Sequence, residues 1–457
     1  MVPLQWRSST GGERRKGPKG DLKFGRQAAT AVNKASWILC CTVHARKRCR
    51  MRTKTFLITM TVLVTALVIL QIIHSVLLDQ LDEYEHDPSH VIQNIDDVNV
   101  YAVEAERLLS QLLETVRDKA TVDDSGQYQI VQNVISNVKD TRQEVSLALH
   151  ASVESLNHLP TTIRDWEGPV SVSMFVSASM ADQAALRLLA LHLCSGCTLS
   201  LHLVLPVGVR ISRPVVPHQS ALCRTLESSP SVSYQLSEPY PNNLLRNVAR
   251  NATHTEFVLS LDADITPNVG FRQQFLAMAN RNNLWGDSAD LTAFVLPLYE
   301  VGEGVTPPRD KTTLLELRRR WPQLLRPFYI TLCAKCQAPT DFERWETMGV
   351  SGRLEVAYDV PWKDPWEPVY VIRRGAPLYD PRFKQFGFNR ISHACELHVA
   401  GYRFRVLGDA FVLHHGLKGE EPPRAAQSSE QHSNRLLFRQ FKQELKVKYP
   451  KSARRCY

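Results

Sequence analysis

Beyond residue 54 the chain carries no excess of positive charge. Of the formal net charge of +9, residues 1–54 supply 14 Lys and Arg against Glu13 and Asp21, a net +12, which leaves 9 − 12 = −3 for the rest. A folded portion so close to neutral lacks the basic face that nucleic acid requires, so no nucleic-acid partner is expected. No fixed-period repeat is present, which excludes solenoids and propellers. Two C-x-x-C stretches, Cys194-Ser-Gly-Cys197 and Cys333-Ala-Lys-Cys336, have no helix-borne His pair beside them, which favours disulfides over zinc. Formal charge is also missing between Phe56 and Leu78, where only Gln71 and His74 interrupt an apolar run.

That last absence marks a membrane segment. An uncharged run of this length crosses a hydrocarbon core of roughly 30 Å as a helix. Arg46, Lys47, Arg48, Arg50, Arg52 and Lys54 precede it; Asp79, Asp82, Glu83 and Glu85 follow. The positive-inside rule directs the N-terminus to the cytoplasm and the remainder to a lumen. The apolar run is too long for a cleaved signal peptide, so the segment reads as a retained type II anchor. The expected organisation is a basic cytoplasmic tail without ordered structure over residues 1–54, a transmembrane signal anchor over 55–78, a luminal stem over 79–120 and a catalytic domain over 121–457. Seven of ten cysteines fall in the luminal part, where disulfides are permitted, and their pairing stays open. Asn251-Ala-Thr253 is an N-glycosylation acceptor. In the stem, Leu108, Leu109, Leu112, Leu113 and Val116 form one helical stripe, which either docks on the main domain or self-associates.

Strand-like runs at residues 170–176, 199–205, 232–236 and 257–261 alternate with helical runs at 181–193 and 242–250. This order predicts an α/β fold with a mixed, mostly parallel central sheet flanked by helices. The apolar run at 257–261 ends at Asp262, with Asp264 two residues on. Residues two apart on a strand share a side, so both carboxylates point to one place while Ala263 faces away. Such a pair suits Mn2+, or Mg2+ in its place, at the sheet edge where ligands bind. His414, at the end of another strand, is the candidate third ligand. Gly416 and Lys418 add a backbone turn and a cation for phosphate. Between residues 358 and 368, Pro361, Pro365 and Pro368 forbid helix and predict a surface loop. That loop offers Trp362 and Trp366 for stacking an acceptor sugar, and Asp364 and Glu367 as candidate general bases.

Several stretches resemble the dystroglycan glucuronyltransferases of glycosyltransferase family 49. They are YPNNLLRN (240–247), the LDAD pair, AKCQAPT (334–340), WKDPWEP (362–368), FKQFGFNRISHACELHVAG (383–401) and FRQFKQELKVKYP (438–450). The resemblance covers roughly residues 121–457 and implies a GT-A-type nucleotide-sugar transferase in the Golgi membrane. It further implies inverting β1,4 transfer of glucuronic acid from UDP-glucuronic acid to xylose on the O-mannosyl glycan of α-dystroglycan. The product would be a primer extended by the bifunctional xylosyl/glucuronyltransferase, a prospective complex partner. Metal ligands map onto Asp262, Asp264 and His414. The family carries Val at Ala263 and Lys at His415. Donor-binding candidates are Asn243, Arg246, Asn247 and Arg250, with Arg246, Arg250, Lys418 and Arg390 unranked for the donor carboxylate. Asn389 stands where related transferases often carry a catalytic acid; an amide accepts no proton, so it is assigned to acceptor binding. The competing reading is a non-catalytic Golgi partner of another transferase.

Overall fold

The computed structural model describes residues 60–75, 88–138, 141–196, 198–227, 239–286, 290–419 and 425–456. The expected tail, the flanks of the expected anchor and the expected strand at 232–236 lie outside the described residues. The chain divides into two units, Met1–Gln93 and Asn94–Tyr457. In the first, residues 60–75 are helical with every side chain exposed, and among the described residues no helix is long and apolar enough to cross a membrane.

In the second unit the apolar strand pattern produces two sheets. The strands are β1 (Thr121–Val122), β2 (Tyr128–Ser136), β3 (Val145–Ser152), β4 (Val170–Phe175), β5 (Leu199–Pro206), β6 (Phe257–Asp262), β7 (Ile265–Pro267), β8 (Thr292–Leu296), β9 (Leu298–Val301), β10 (Leu325–Pro327), β11 (Val356–Val360), β12 (Val369–Arg373), β13 (Arg403–Leu407) and β14 (Val412–His415). Ten form one sheet in the order β1-β2-β5-β4-β3-β6-β12-β8-β13-β11, and four form a second, β10-β9-β14-β7. Buried β3, β4 and β5 sit inside the large sheet, their apolar residues alternating with small or polar ones that are buried as well.

The large sheet is mixed, as expected, but parallel pairs are not the majority. Pairing is parallel for β5-β4, β4-β3, β3-β6 and β8-β13, and antiparallel at the other five junctions of the large sheet. The parallel block is where helices cross over, and β12 enters antiparallel between β6 and β8. Because β3 to β6 are parallel, their C-terminal ends share one edge, and Asp262 ends β6 opposite His150 of β3.

The leucine stripe docks on this core. In the helix Pro88–Asp118, Leu108, Leu109 and Leu112 are buried in the main apolar cluster. From Asn94 onward this helix falls in the second unit. Three disulfides are present among the described residues: Cys194–Cys223, Cys333–Cys336 and Cys395–Cys456. Only one C-x-x-C closes on itself, since Cys194 pairs 29 residues away. The last disulfide fastens the C-terminus to the helix Asn389–Val399. Leu109, fully buried, is the test of the docked helix. Leu109→Ala is expected to lower unfolding free energy by about 2–4 kcal/mol, read from a denaturant melt; a change under about 0.5 kcal/mol would show a helix that does not support the core.

Candidate active site

The site is built at the shared strand edge. Asp262 accepts hydrogen bonds at Oδ1 from His150 Nε2 and Arg246 Nη2, both at 2.8 Å, while Arg390 Nη2 donates to Oδ2. Three segments deliver these donors: β3, the helix Asn242–Asn251 and the first turn of the helix Asn389–Val399. Burial would raise the Asp262 carboxyl, but Arg246 and Arg390, then His150, hold it well below the usual carboxylate range. A carboxylate only accepts, so His150 donates from Nε2 and its Nδ1 accepts from the Tyr240 hydroxyl at 2.9 Å. Burial keeps that imidazole neutral by lowering its pKa.

Arg246 is oriented in turn. Its Nη1 donates to Asn243 Oδ1 at 2.9 Å and to Asn389 Oδ1 at 3.1 Å, and its guanidinium lies 5.5 Å from the Tyr379 ring centre. Asn243 Nδ2 completes the lattice by donating to the carbonyls of Asp380 and Asn389. Asn243 and Asn389 thus belong to the site as holders of Arg246; Asn389 is buried rather than presented to an acceptor.

Asp264 has different company. After β6 the chain turns into β7, which pairs antiparallel with β14 so that Ile265 stands opposite His414. His415 N–H also donates to the Asp264 carbonyl at 2.9 Å. This register places His414 Nε2 3.0 Å from Asp264 Oδ2, off the alignment of a hydrogen bond, and Nε2 is a buried atom without a hydrogen-bond partner. His414 Nδ1 donates to the Gly416 carbonyl at 2.7 Å. That contact fixes the proton on Nδ1 and leaves Nε2 presenting a lone pair to a carboxylate in the neutral ring. Two lone pairs at this separation repel unless a cation or a proton lies between them, so the pair could take either one. Gly416 adopts φ +90°, a conformation that glycine enters freely, and so the carbonyl that orients His414 depends on it.

Asp264 keeps 43% of its side chain accessible, although many protein atoms surround it. Burial pushes its pKa up, and a protonated His414 ring together with Lys418 outweighs that, drawing it down to about 2; with His414 neutral, that share of the pull is absent. Among the described residues no three His, Cys, Asp or Glu side chains gather closely enough to hold one ion. The expected three-residue ligand set therefore reduces to Asp264 and His414, because both Asp262 oxygens are turned into the arginines and His150.

The two candidate bases separate. Glu367 faces Arg390, Arg246, Asp262 and Lys418, and burial raises its pKa more than these cations lower it. Some of its side chain still reaches solvent. Asp364 faces Lys442 and Lys335 instead, away from that cluster. Lys418 is anchored by its backbone, its N–H donating to Glu300 Oε2 at 3.1 Å, while its charge reaches Asp264 and Glu367.

Further expectations fail on burial. Trp366 is fully buried, its indole N–H donating to Thr340 Oγ1 at 3.0 Å, so it has no face for a sugar. Trp362 is stacked on His398 with ring centres 5.0 Å apart and packs into two apolar clusters. Arg250 is fully buried and donates to the carbonyls of Pro377, Arg374 and Ala376, so its guanidinium is not open to a donor carboxylate. Asn247 likewise latches the Tyr379 backbone through both amide groups. Asn251 is exposed at the end of its helix, as a glycan acceptor must be. The sequence reading missed His150, Tyr240 and Tyr379. For His150 a signal existed: Val145, Leu147, Leu149 and Ala151 alternate with small or polar residues, the period of a strand.

An α/β domain whose strand edge gathers a D-x-D pair, a histidine and two arginines has the frame of a glycosyltransferase. The chain belongs to the family described as "Glycosyl-transferase for dystroglycan", which matches residues 144–450. It is 38% identical over 369 residues to "Beta-1,4-glucuronyltransferase 1" of Homo sapiens, covering 77% of this chain and 86% of that protein. The Danio rerio protein of the same name is 37% identical over 73% of this chain and 83% of its own length. "Xylosyl- and glucuronyltransferase LARGE2s" of Gallus gallus is 29% identical over 59% of this chain and 32% of that protein. Among solved structures, GalNAc-T7 with UDP, GalNAc and Mn2+ aligns at a TM-score of 0.36 and 10% identity, covering 69% of this chain and 52% of that one.

The two acids should behave oppositely on truncation. Asp262→Ala leaves Arg246 and Arg390 buried and unpaired and is expected to cost about 3–5 kcal/mol of stability. Asp264→Ala, removing a partly exposed carboxylate, is expected to change it by less than about 1 kcal/mol. Metal-free denaturant unfolding of both variants decides; equal losses would contradict the division of roles.

Proposed function

We propose that this protein transfers glucuronic acid from UDP-glucuronic acid, with inversion, in β1,4 linkage to xylose on the O-mannosyl glycan of α-dystroglycan, priming matriglycan. The reading takes the domain as a GT-A-type fold. The observation that carries it is the unpartnered His414 Nε2 facing the Asp264 carboxylate, beside an arginine-rich cluster, in a chain of this family. A divalent cation, Mn2+ or Mg2+, held by Asp264 and His414 supplies the positive charge that a departing diphosphate needs. Arg390 is our choice to meet the donor's carboxylate, with Arg246 behind it, because Arg390 is the more exposed of the two guanidiniums on Asp262. Lys418 adds charge on the phosphate side.

Inversion requires one deprotonation of the acceptor hydroxyl, and Glu367 is the carboxylate placed to take that proton. Burial raises its pKa above that of a free glutamate, which makes it a stronger base. The sign follows directly: above the raised pKa Glu367 is ionised and competent, and below it the base is protonated. Turnover therefore falls as pH drops through a value above the ordinary glutamate range. Localisation follows from the same reading: a single-pass type II protein of the Golgi membrane, glycosylated at Asn251, working alongside the bifunctional xylosyl/glucuronyltransferase.

Three measurements test this. A panel of UDP-sugars with β-xylosides and Mn2+ should give product from UDP-glucuronic acid; transfer only from a different donor would overturn the assignment. Asp264→Asn and His414→Ala should each weaken Mn2+ binding by calorimetry at least about tenfold, and unchanged affinity would remove the metal site. Glu367→Gln should lower kcat by about 10²–10⁴ and abolish the acidic limb of the pH profile while UDP affinity is retained.

A further inference from the structure

The loop that carries Glu367 is held from one side by a single neighbouring segment, residues 333–340. Glu367 N–H donates to the Cys336 carbonyl at 2.9 Å, and Gln337 Nε2 donates to the Glu367 carbonyl at 3.3 Å. Both backbone polar groups of Glu367 thus end on two consecutive residues. One residue earlier, Trp366 is tied to Thr340 Oγ1, and the Tyr358 hydroxyl donates to the Thr340 carbonyl at 2.9 Å. Gln337, 2% exposed, has no role in solubility or in the donor cluster.

The segment making these contacts is not a continuous helix. Within Ile330–Gln337, Cys333 has φ −151° and ψ 71°, which interrupts the helical ladder in its middle. The helical turns on either side of Cys333 are therefore not joined by one continuous i→i−4 ladder. The Cys333–Cys336 disulfide spans that break. The other end of the segment meets the metal side of the site. Cys333 N–H donates to the Tyr329 carbonyl at 2.7 Å, and Phe328, the preceding residue, lies 5.1 Å from His414 between ring centres. One stapled stretch therefore connects His414 to Glu367.

We infer that the Cys333–Cys336 disulfide and Gln337 are positioning residues, which set the place of the Glu367 carboxylate relative to the Asp264–His414 pair. The inference rests on the reading of Glu367 as the base. Its disulfide is a working part of the site rather than a brace of the fold: it closes a loop of only three residues' separation, the kind that restrains an unfolded chain least, and it sits half-exposed at Cys333. The remaining two disulfides, with 29 and 61 residues between partners, carry the larger topological constraint.

The experiment compares the whole chain with the double variant Cys333→Ser/Cys336→Ser, with Gln337→Leu, and with Glu367→Gln. Initial rates, donor KM, Mn2+ affinity and the unfolding midpoint are measured for each. A displaced base is expected to lower kcat by about 10- to 100-fold with donor KM and Mn2+ affinity held within about twofold. A merely structural disulfide would instead move the unfolding midpoint and leave that split absent. If both staple variants keep kcat within about twofold while Glu367→Gln is inactive, the positioning inference is wrong and the base assignment stands. Full activity of Glu367→Gln would overturn the base assignment and this inference with it. Should the double serine variant fail to fold, Gln337→Leu, which leaves the disulfide intact, decides by the same split.

Discussion

The carboxylate of Asp262 is the junction on which the site depends. Removing a carboxylate and two guanidiniums from water is costly for each alone, and the cost is offset only when the charges meet with their hydrogen bonds satisfied. Here Arg246, Arg390 and His150 come from three segments and converge on two oxygens. Two of the three have outer partners: Asn243 and Asn389 for Arg246, Tyr240 for His150. The cluster is therefore fixed in geometry before any ligand arrives, which is the condition for electrostatic stabilisation without reorganisation.

Two residues further on, the chain does something different with the same chemistry. A turn and a short strand hand Asp264 to the second sheet, where the β7–β14 register brings it to His414. Asp262 is a quarter exposed but has both oxygens paired; Asp264 is more open and faces a histidine nitrogen whose proton is assigned to the other side of the ring. The D-x-D pair is thus one structural acid and one ligand-facing acid. Glu367 completes the arrangement from a third direction, anchored by its backbone to residues 336 and 337. On the proposed reading, phosphate charge, sugar carboxylate and acceptor hydroxyl each find a counterpart of suitable sign along this one edge.

Much of this was legible in the sequence where local pattern and local chemistry agree. The strand ending at Asp262, the helix of Arg246 and the strand ending near His414 all fall within two residues of their expected limits. Glu367 was separable from the core by its type and loop. The proline-rich loop misled on its tryptophans. An indole beside prolines looks like a sugar platform, yet Trp366 is the buried anchor of that loop and Trp362 is taken up by His398. Arg250 misled similarly, since a basic residue on a site helix differs from its neighbour Arg246 only in which face it occupies. The parallel sheet was overestimated because strand order in sequence says nothing about the antiparallel insertion of β12.

What the sequence by itself determined is the set of parts: an α/β alternation, a D-x-D pair at a strand end, a histidine ending another strand, and the stretches shared with its family. Periodicity and residue chemistry are local properties, so a single chain displays them openly. What only the tertiary structure decided is which parts meet. His150 joins Asp262 across 112 positions and Arg390 across 128, and Glu367 hangs from Cys336 through one backbone hydrogen bond. Such contacts arise from sheet register and long-range packing, and these place the two aspartates in different roles although they stand two residues apart.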